Sequence, residues 1–598
     1  MNWTHELTNS ALWLGKAYLI TLVVFSLVMA GLARTSRWGQ QFWAVSGAWF
    51  HPRRNGGRWQ PLAGVALMLL FVLAGVRMNV LFSYWYNGFY TAMQGLDQKG
   101  FWFFMQLFAI LAAVHVARTL LQAYIRGAFV IHWREWLNER LLSRWLSGQA
   151  YYLGRFAEPA VDNPDQRLQQ DVTDFATNTV ALAMGLVGAL VSIFEFTGIL
   201  WNLSAPMNVL GAELPRAMVF LVYLYVLVVT AFAVWVGRPL IALNFLNEKL
   251  NATYRYLLVR LREYGESIAL YRGEAVEQAH LQRGFGAVIS NAWGLLLRTI
   301  KFEGFNLSAS QLAVIFPYLI QAPRMFAGQI KLGDVMQTGE AFGQVQEALS
   351  FFRSSYDTFA SYRATLDRLS GFEANIAGAQ TLEMPVVTPR ADALVLHGLT
   401  LQRPDGRLLA QNLSFTLPAG QALLIRGPSG SGKTTLLRTL AGLWPHATGT
   451  AERPVGSASL FLSQKPYLPI GTLREALAYP QQAPLDHALA CQILEQVQLG
   501  QLMNQLDVEQ DWSQVLSPGE QQRLAFGRVL ANRPAIVFLD EATSATDTGL
   551  EHSLYTLLRR ELPHAIVVSV GHRETLAAFH DQALNLSHDG SWQLHPVR

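Results

Sequence analysis

Charge and cysteine are what this sequence has little of. Charged residues make up 15% of its 598 residues, where an ordinary soluble protein carries about 25%, a shortfall of roughly sixty charges. Hydrophobic residues reach 51% and aromatic residues 12%. So large an uncharged surface would aggregate in water unless lipid covers it. Cys491 is the only cysteine, which excludes a disulfide framework and a thiolate metal cluster, since either needs at least two. The net charge of +4 is small for the length and gives no reason to expect nucleic acid as a partner. Length alone would suggest about four soluble domains. The composition instead predicts a protein at least partly embedded in a lipid bilayer.

Crossing about 30 Å of hydrocarbon takes about 20 apolar residues in a helix. Six stretches qualify: Leu12 to Ala33, Pro61 to Ser83, Phe101 to Ile125, Thr179 to Trp201, Ala217 to Val236 and Leu307 to Phe326. A seventh, Val335 to Phe359, is interrupted by Glu340, Glu347, Arg353 and Asp357. Its small and polar residues suit a helix that faces a pore. Arginines cluster after the first, third and fifth spans, among them Arg34, Arg37, Arg53, Arg54 and Arg58, then Arg126, Arg134, Arg140 and Arg144, then Arg238, Arg255, Arg260 and Arg262. Lys and Arg accumulate on the cytoplasmic side, so the amino terminus is expected outside and the carboxyl terminus inside. The first span could also be a cleaved signal peptide. Glu6 with a single Lys16 ahead of it, and arginines at once behind it, favour a retained span.

Two further segments, after the third and fifth spans, are long and rich in helix formers and read as helices continuing into the cytoplasm. Past Arg368 the pattern changes. Residues 371–391 mix Gly, Pro, Thr and Ala as a linker does, and from 392 to 598 short apolar strands alternate with helical stretches, the mark of an α/β domain. The expected organisation is a transmembrane domain over residues 1–370, the linker, and a second domain over 392–598.

That second domain carries the chemistry. Gly427, Pro428, Ser429, Gly430, Ser431, Gly432, Lys433, Thr434 and Thr435 follow an apolar strand, Ala422 to Ile425, and open a helix. Glycines there let successive backbone N–H groups point into one concavity and hold phosphate oxygens. Lys433 would reach the outer phosphates and Thr434 would ligate magnesium. Downstream, the apolar run Ala535 to Leu539 ends in Asp540 and Glu541. Ligands bind beyond the carboxyl ends of parallel strands, which places Asp540 for magnesium and Glu541 as a base for the attacking water. Adjacent acids at a strand end are often only solvated, and the phosphate loop upstream is what favours chemistry. In Leu516-Ser517-Pro518-Gly519-Glu520, Ser517 suits an N-cap and Glu520 completes a capping box; a capped helix and nothing more is the plain alternative.

The order of these elements, with Gln464 after the strand Ser459 to Leu462, Asp547 after Asp540 and Glu541, and His572 after Ile566 to Val570, resembles the nucleotide-binding domain of ATP-binding cassette transporters over about 200 residues. The resemblance implies that ATP and Mg2+ bind there and that Gln464 senses the γ-phosphate and magnesium. It also implies that Ser517, Gly519 and Glu520 form the signature motif, that Asp547 lies in the loop that follows the two acids, and that His572 is the switch histidine. Pro518 and Glu520 depart from the commonest signature, and the turn Arg403 to Arg407 lacks the usual adenine-stacking aromatic.

The membrane half, through Ser83 to Tyr90, His132 to Trp136, Asp162 to Arg167 and Glu266 to Glu274, resembles the SbmA/BacA-type bacterial transporters with a fused ATPase domain. These include YddA-like proteins and a mycobacterial cobalamin and peptide importer, with the peroxisomal fatty-acyl half-transporters as distant relatives. The implied fold is an α-helical, exporter-type bundle of six core helices plus an extra N-terminal helix, followed by an α/β P-loop ATPase domain. One phosphate loop and one signature motif per chain imply a homodimer with two composite ATP sites. The implied cargo is a small-molecule or peptide substrate, bulky and hydrophilic, moved across the bacterial inner membrane; acyl compounds, or a regulator that moves nothing, are the alternatives. Arg77, His115, Arg118 and Glu195 fall within spans, where ionisable groups either pair with one another or contact substrate.

Overall fold

A computed structural model describes residues 3–204, 207–209, 212–214 and 216–597. The chain forms two compact units: one holds the chain up to Ser143 together with Asp162–Glu373, the other Arg144–Val161 together with the chain from Ala374 onward.

The first unit is built from α1 (Glu6–Thr35), α2 (Arg37–Phe50), α3 (Gln60–Gln94), α4 (Gln98–Leu146), α5 (Val172–Leu203), α6 (Ala217–Glu263), α7 (Glu274–Phe326), α8 (Leu332–Ser354) and the start of α9 (Tyr356–Gln380). Helices stand at all seven expected spans. The segments holding α1, α3, α4, α5 and α6 are long and apolar enough to cross a membrane. By that measure α7 and α8 are not, because Gln311, Pro317, Gln321, Pro323 and Arg324 dilute α7 and Glu340, Glu347 and Arg353 dilute α8. The seventh expected span also closes early, since α8 ends at Ser354 and not at Phe359.

Although short of apolar residues, α8 sits deep in the unit. Ala341, Phe342 and Val345 are fully buried against Val80, Phe196, Leu200 and Val222, so one face of α8 is core and its polar face is left for something else. The N-terminal helix α1 is held at its start by polar contacts: Arg77 pairs with Glu6 and donates to Ser10 Oγ at 3.0 Å, and Trp13 Nε1 donates to Glu195 Oε1 at 3.1 Å. Two of the ionisable residues expected at membrane depth are therefore partnered within the unit. Helix α2, capped by Ser36 accepting from Gly39 N at 3.1 Å, lays Trp49 flat on Trp133 with ring centroids 5.2 Å apart. The Asp162 to Arg167 motif is structural too. Asn163 adopts a left-handed φ of 42°, and the 1%-exposed Asp171 accepts from Arg167 at 2.9 Å and from Arg368 at 2.6 Å.

In the second unit β1 (Ala422–Arg426), β2 (Ser459–Leu462), β3 (Ile536–Asp540), β4 (Ile566–Val570), β5 (Gln582–Leu586) and β6 (Trp592–Pro596) form one sheet in the order β6-β5-β1-β4-β3-β2. All neighbours are parallel except β5 and β6. Continuous apolar strands follow from burial on both faces: Val537, Leu539 and Val567 point into one core, Phe538, Ile566 and Val568 into the other. A second sheet, in the order Val386–Pro389, Ala447–Arg453, Ala393–Gln402, Leu408–Pro418, packs on the latter. The helices that matter below are α10 (Lys433–Leu440), α11 (Pro518–Asn532) and α12 (Thr548–Glu561). The segment expected as a linker departs from that reading: α9 continues through it to Gln380, with Phe372, Ile376 and Ala379 buried at the i, i+4, i+7 spacing of one helix face.

Candidate nucleotide site

The carboxyl ends of β1, β2, β3 and β4 lie side by side, and each delivers part of the site. After β1 the chain turns through Gly427, Gly430 and Gly432 at φ of 148°, 81° and 97°, a conformation glycine adopts without strain. Gly427 has a second reason to be glycine: a Cβ there would stand 2.4 Å from the Leu586 carbonyl oxygen. Gly432 begins α10 with no side-chain cap, so the N–H groups of its first turn are open to an anion. Lys433 Nζ donates to the Gly427 and Pro428 carbonyls at 2.8 and 3.0 Å, and Ser431 Oγ is buried with no hydrogen-bond partner. Burial pulls the Lys433 ammonium below its ordinary pKa, opposed by the charges of Glu541 and Asp540. An uncapped helix start, an orphaned hydroxyl and a buried cation fit a phosphate chain.

Beside the loop, Thr434 Oγ1 donates to Asp540 Oδ1 at 3.2 Å. Burial raises the pKa of Asp540, and the neighbouring Glu541 adds to that, while the Thr434 hydrogen bond opposes it. A buried carboxylate next to a hydroxyl, with a second acid beside it, is a donor set that suits a hard divalent cation. The next residue, Glu541, has a left-handed φ of 49°. That conformation is unusual for a side-chain-bearing residue and of the kind stored at functional sites. It aims the carboxylate between two neighbours: Gln464 Nε2 donates to Oε2 at 3.1 Å and His572 Nε2 lies 3.2 Å from Oε1. Gln464, Asp540, Glu541 and His572, far apart in sequence, are thus brought together with Lys433 and Thr434.

The remaining expected residues lie elsewhere. Ser517 caps α11, and its capping box with Glu520 is formed: Ser517 N donates to Glu520 Oε2 at 3.0 Å and Ser517 Oγ to the same oxygen at 2.8 Å. These hydrogen bonds hold the Glu520 carboxyl below the usual carboxylate range. Gly519 approaches backbone closely, since a Cβ would sit 3.1 Å from the Ala545 carbonyl oxygen. Asp547 caps α12, accepting from Leu550 N at 2.8 Å. Among the described residues no hydrogen bond joins Ser517, Gly519, Glu520 or Asp547 to the phosphate loop.

Three residues that sequence reasoning passed over tie these parts together. Gln522, buried on α11, donates to the Gln464 carbonyl at 3.0 Å and to Ser544 Oγ at 3.1 Å, and accepts from Ala545 N at 2.9 Å. Glu551, 2% exposed, accepts from Thr543 at 2.7 Å, Thr575 at 2.8 Å and Arg573 at 3.3 Å. Asn375 donates to the carbonyls of Gly154 and Pro159 at 2.8 and 2.9 Å, fixing the excursion Arg144–Val161 within this unit. There Phe156 meets Trp444 edge-on, centroids 5.4 Å apart. Tyr152 and Arg155 of the excursion share with Thr434, Arg438 and Asp540 the lining of a cavity of about 590 Å3. The signal for Gln522 and Glu551 was a polar residue on the apolar face of an amphipathic helix; nothing local marked Asn375.

Comparison with known proteins agrees with this geometry. Residues 56–326 match the family model "ABC transporter transmembrane region 2" and residues 410–544 the model "ABC transporter". An uncharacterised ABC transporter ATP-binding protein of Haemophilus influenzae is 48% identical over 99% of this chain and 100% of its own length. The inner membrane ABC transporter ATP-binding protein YddA of Escherichia coli is 31% identical over 88% of this chain and 93% of its own. The human lysosomal cobalamin transporter ABCD4 is 27% identical over 85% and 89%. Among solved structures, a bacterial Atm1-family ABC exporter with ATP bound shares the fold, with a TM-score of 0.71 at 18% identity over 88% of this chain and 94% of that one. With its helical membrane unit fused to an ATP-binding unit, the chain belongs to the ABC transporters, as a half-transporter whose ATPase drives transport.

Proposed function

We propose that two copies of the chain form a homodimeric importer of a bulky hydrophilic compound, a peptide or a cobalamin-like molecule, in the bacterial inner membrane, of the SbmA/BacA-like type with the ATPase domain in the cytoplasm and the amino terminus outside. The observation that carries the cargo class is the polar seam between α3 and α8. There Asn87 donates to Asp334 and Gln337, each at 2.9 Å, and Asn79 to Gln344 at 3.3 Å. A lipid path has no need of such a seam. The cobalamin relative supports the same class. Two apolar cavities beside α1, of about 720 and 550 Å3, favour acyl compounds as the second reading.

The separation of the parts supports pairing of two chains. Each ATP would lie between the phosphate loop of one chain and Ser517, Gly519 and Glu520 of the other, with Asp547 at the seam. The short helix Gly265–Tyr271 ends on Leu270 and Tyr271, 77% and 87% exposed, an apolar tip suited to the partner's ATPase unit. Within a site, the glycine loop and Lys433 hold the phosphates, and Thr434, Asp540 and Gln464 would hold Mg2+, which when bound neutralises phosphate charge. Glu541 takes the proton of the attacking water, and Gln464 and His572 keep its carboxylate aimed. ATP draws the units together and hydrolysis releases them. Uptake of labelled cobalamin, a Pro-rich peptide and an acyl compound, each competing with the others in a strain lacking the gene and the same strain restored, tests the reading. Peptide or cobalamin uptake that only the restored strain performs is expected; acyl uptake alone overturns it.

A further inference from the structure

Helix α1 is fastened by polar contacts at one end. Glu6 and Ser10 with Arg77, and Trp13 with Glu195, all lie at its start. In its second half Val23, Val24, Leu27 and Val28 are exposed, and two apolar cavities, of about 720 and 550 Å3, flank the helix. Phe25 and Met29, at the i, i+4 spacing of one helix face, line both. So do Phe42 and Trp43 of α2 and Thr179 and Ala183 of α5. Among the described residues no charged side chain lines either cavity. Packed interiors hold few voids larger than a water molecule, because the walls of a void forfeit their dispersion contacts. Two such cavities on one helix point to an apolar occupant.

Beyond the cavities the character reverses. Between Glu6 and Asp97 the sequence contains no acid. Arg34 and Arg37 stand at the corner between α1 and α2, and Arg53, Arg54 and Arg58 between α2 and α3. All five are exposed, and among the described residues none pairs with a carboxylate. Membrane topology alone accounts for arginines on this side, but not for cavities whose walls end beside them. Trp38, next to Arg37, lines one cavity, and Trp59, next to Arg58, lines the other; Trp is enriched at the level of lipid headgroups. Uncharged walls, a tryptophan at each rim and unpaired guanidinium groups beyond fit one kind of amphiphile. Acyl chains restore the missing packing, and a phosphate takes charge-assisted, forked hydrogen bonds from arginine. A neutral lipid would fill the walls and leave the arginines without a partner; a soluble phosphate would do the reverse.

We infer that an anionic phospholipid, drawn from the leaflet that faces Arg34, Arg37 and Arg58, is a resident ligand of the membrane unit, with its chains on either side of Phe25 and Met29 and its phosphate at those arginines. Helix α1 is then held by polar contacts at one end and by lipid at the other, whichever cargo the chain moves. The test offers the full-length protein, purified in a neutral detergent, equal amounts of phosphatidylglycerol and phosphatidylcholine with the same chains, and reads the retained lipid by native mass spectrometry. The wild type is expected to retain phosphatidylglycerol at least about tenfold over phosphatidylcholine, since each Lys or Arg near an anionic headgroup is worth about fivefold. Arg34→Gln, Arg37→Gln and Arg58→Gln combined should erase that preference, and the same three positions changed to Lys should keep most of it. Ala183→Phe, which fills both cavities from α5, should cut retention of both lipids, and glycerol phosphate added as a competitor should displace neither. Equal retention of the two lipids by the wild type, a preference that survives the three Gln changes, or displacement by glycerol phosphate would overturn the site and leave the hydrophilic-cargo reading standing. ATP-dependent movement of labelled phosphatidylglycerol across proteoliposomes would make the lipid cargo and overturn both.

Discussion

At the scale of single residues, the positioning of Glu541 is the most consequential feature. Its left-handed backbone and its two partners, Gln464 and His572, leave the carboxylate one orientation. Glu541→Gln keeps the shape and the Gln464 side but removes the proposed base. Turnover of ATP should fall by about 100-fold or more while nucleotide binding persists; an equilibrium ATP-binding measurement beside a phosphate-release assay checks both halves. His580 sets a different, pH-dependent term. Its ring is buried, with Nδ1 2.6 Å from the Leu576 carbonyl and Nε2 2.8 Å from Ser569 Oγ, and burial holds its pKa down to about 4 against an ordinary 6.5. The folded chain therefore keeps it neutral where the unfolded chain protonates it. Its contribution is fully present above about pH 6.5 and is lost as pH falls toward 4, by about 3 kcal/mol at most. Thermal melts of the full chain from pH 7 to pH 5 should show a falling Tm, and His580→Gln a shallower fall; equal slopes would remove His580 as the cause.

At the scale of elements, the excursion Arg144–Val161 is the piece to test. It leaves the membrane unit after Ser143 and returns at Asp162, and between them it is bound by Asn375 and by the Phe156 contact to Trp444. It also shares the lining of one cavity with Thr434 and Asp540. Phe156→Ala should leave basal ATP hydrolysis within about twofold and cut substrate uptake severely, because truncating this half-buried aromatic removes its edge-on contact to Trp444 and loosens the excursion. Parallel loss of hydrolysis and uptake would instead mean general unfolding. The same elements show what a sequence exposes. Strands β1 to β4 were legible because strands buried on both faces are unbroken apolar runs, and their carboxyl ends locate Asp540, Glu541 and His572 without a structure. The helical part of residues 371–391 was hidden because Gly371, Gly378 and Ala dilute its composition, although Phe372, Ile376 and Ala379 carry the period. The excursion was invisible, since Asn375 and Gly154 meet only through the tertiary fold. Helix α8 was expected from its small and polar residues to face a pore; its burial against Val80, Phe196, Leu200 and Val222 depends on neighbours that no local window contains.

At the scale of the whole molecule, the shortage of charge runs through both units: residues 1–373 are 14% charged and residues 374–598 are 16% charged, so what sets the membrane unit apart is its long apolar helices. In the ATPase unit no hydrogen bond, among the described residues, joins Ser517, Gly519 or Glu520 to the glycine loop beside Glu541, and the proposed pairing of two chains rests on that separation. The central claim is that the paired chains couple ATP hydrolysis to movement of a hydrophilic molecule. The direct measurement is accumulation of a labelled Pro-rich peptide and of labelled cobalamin in proteoliposomes, with ATP supplied on the side of the ATPase domains, for the wild type and for Glu541→Gln. The account predicts ATP-dependent accumulation of at least one of them by the wild type and none by the variant. Failure of both to accumulate, or equal accumulation by Glu541→Gln, would contradict it.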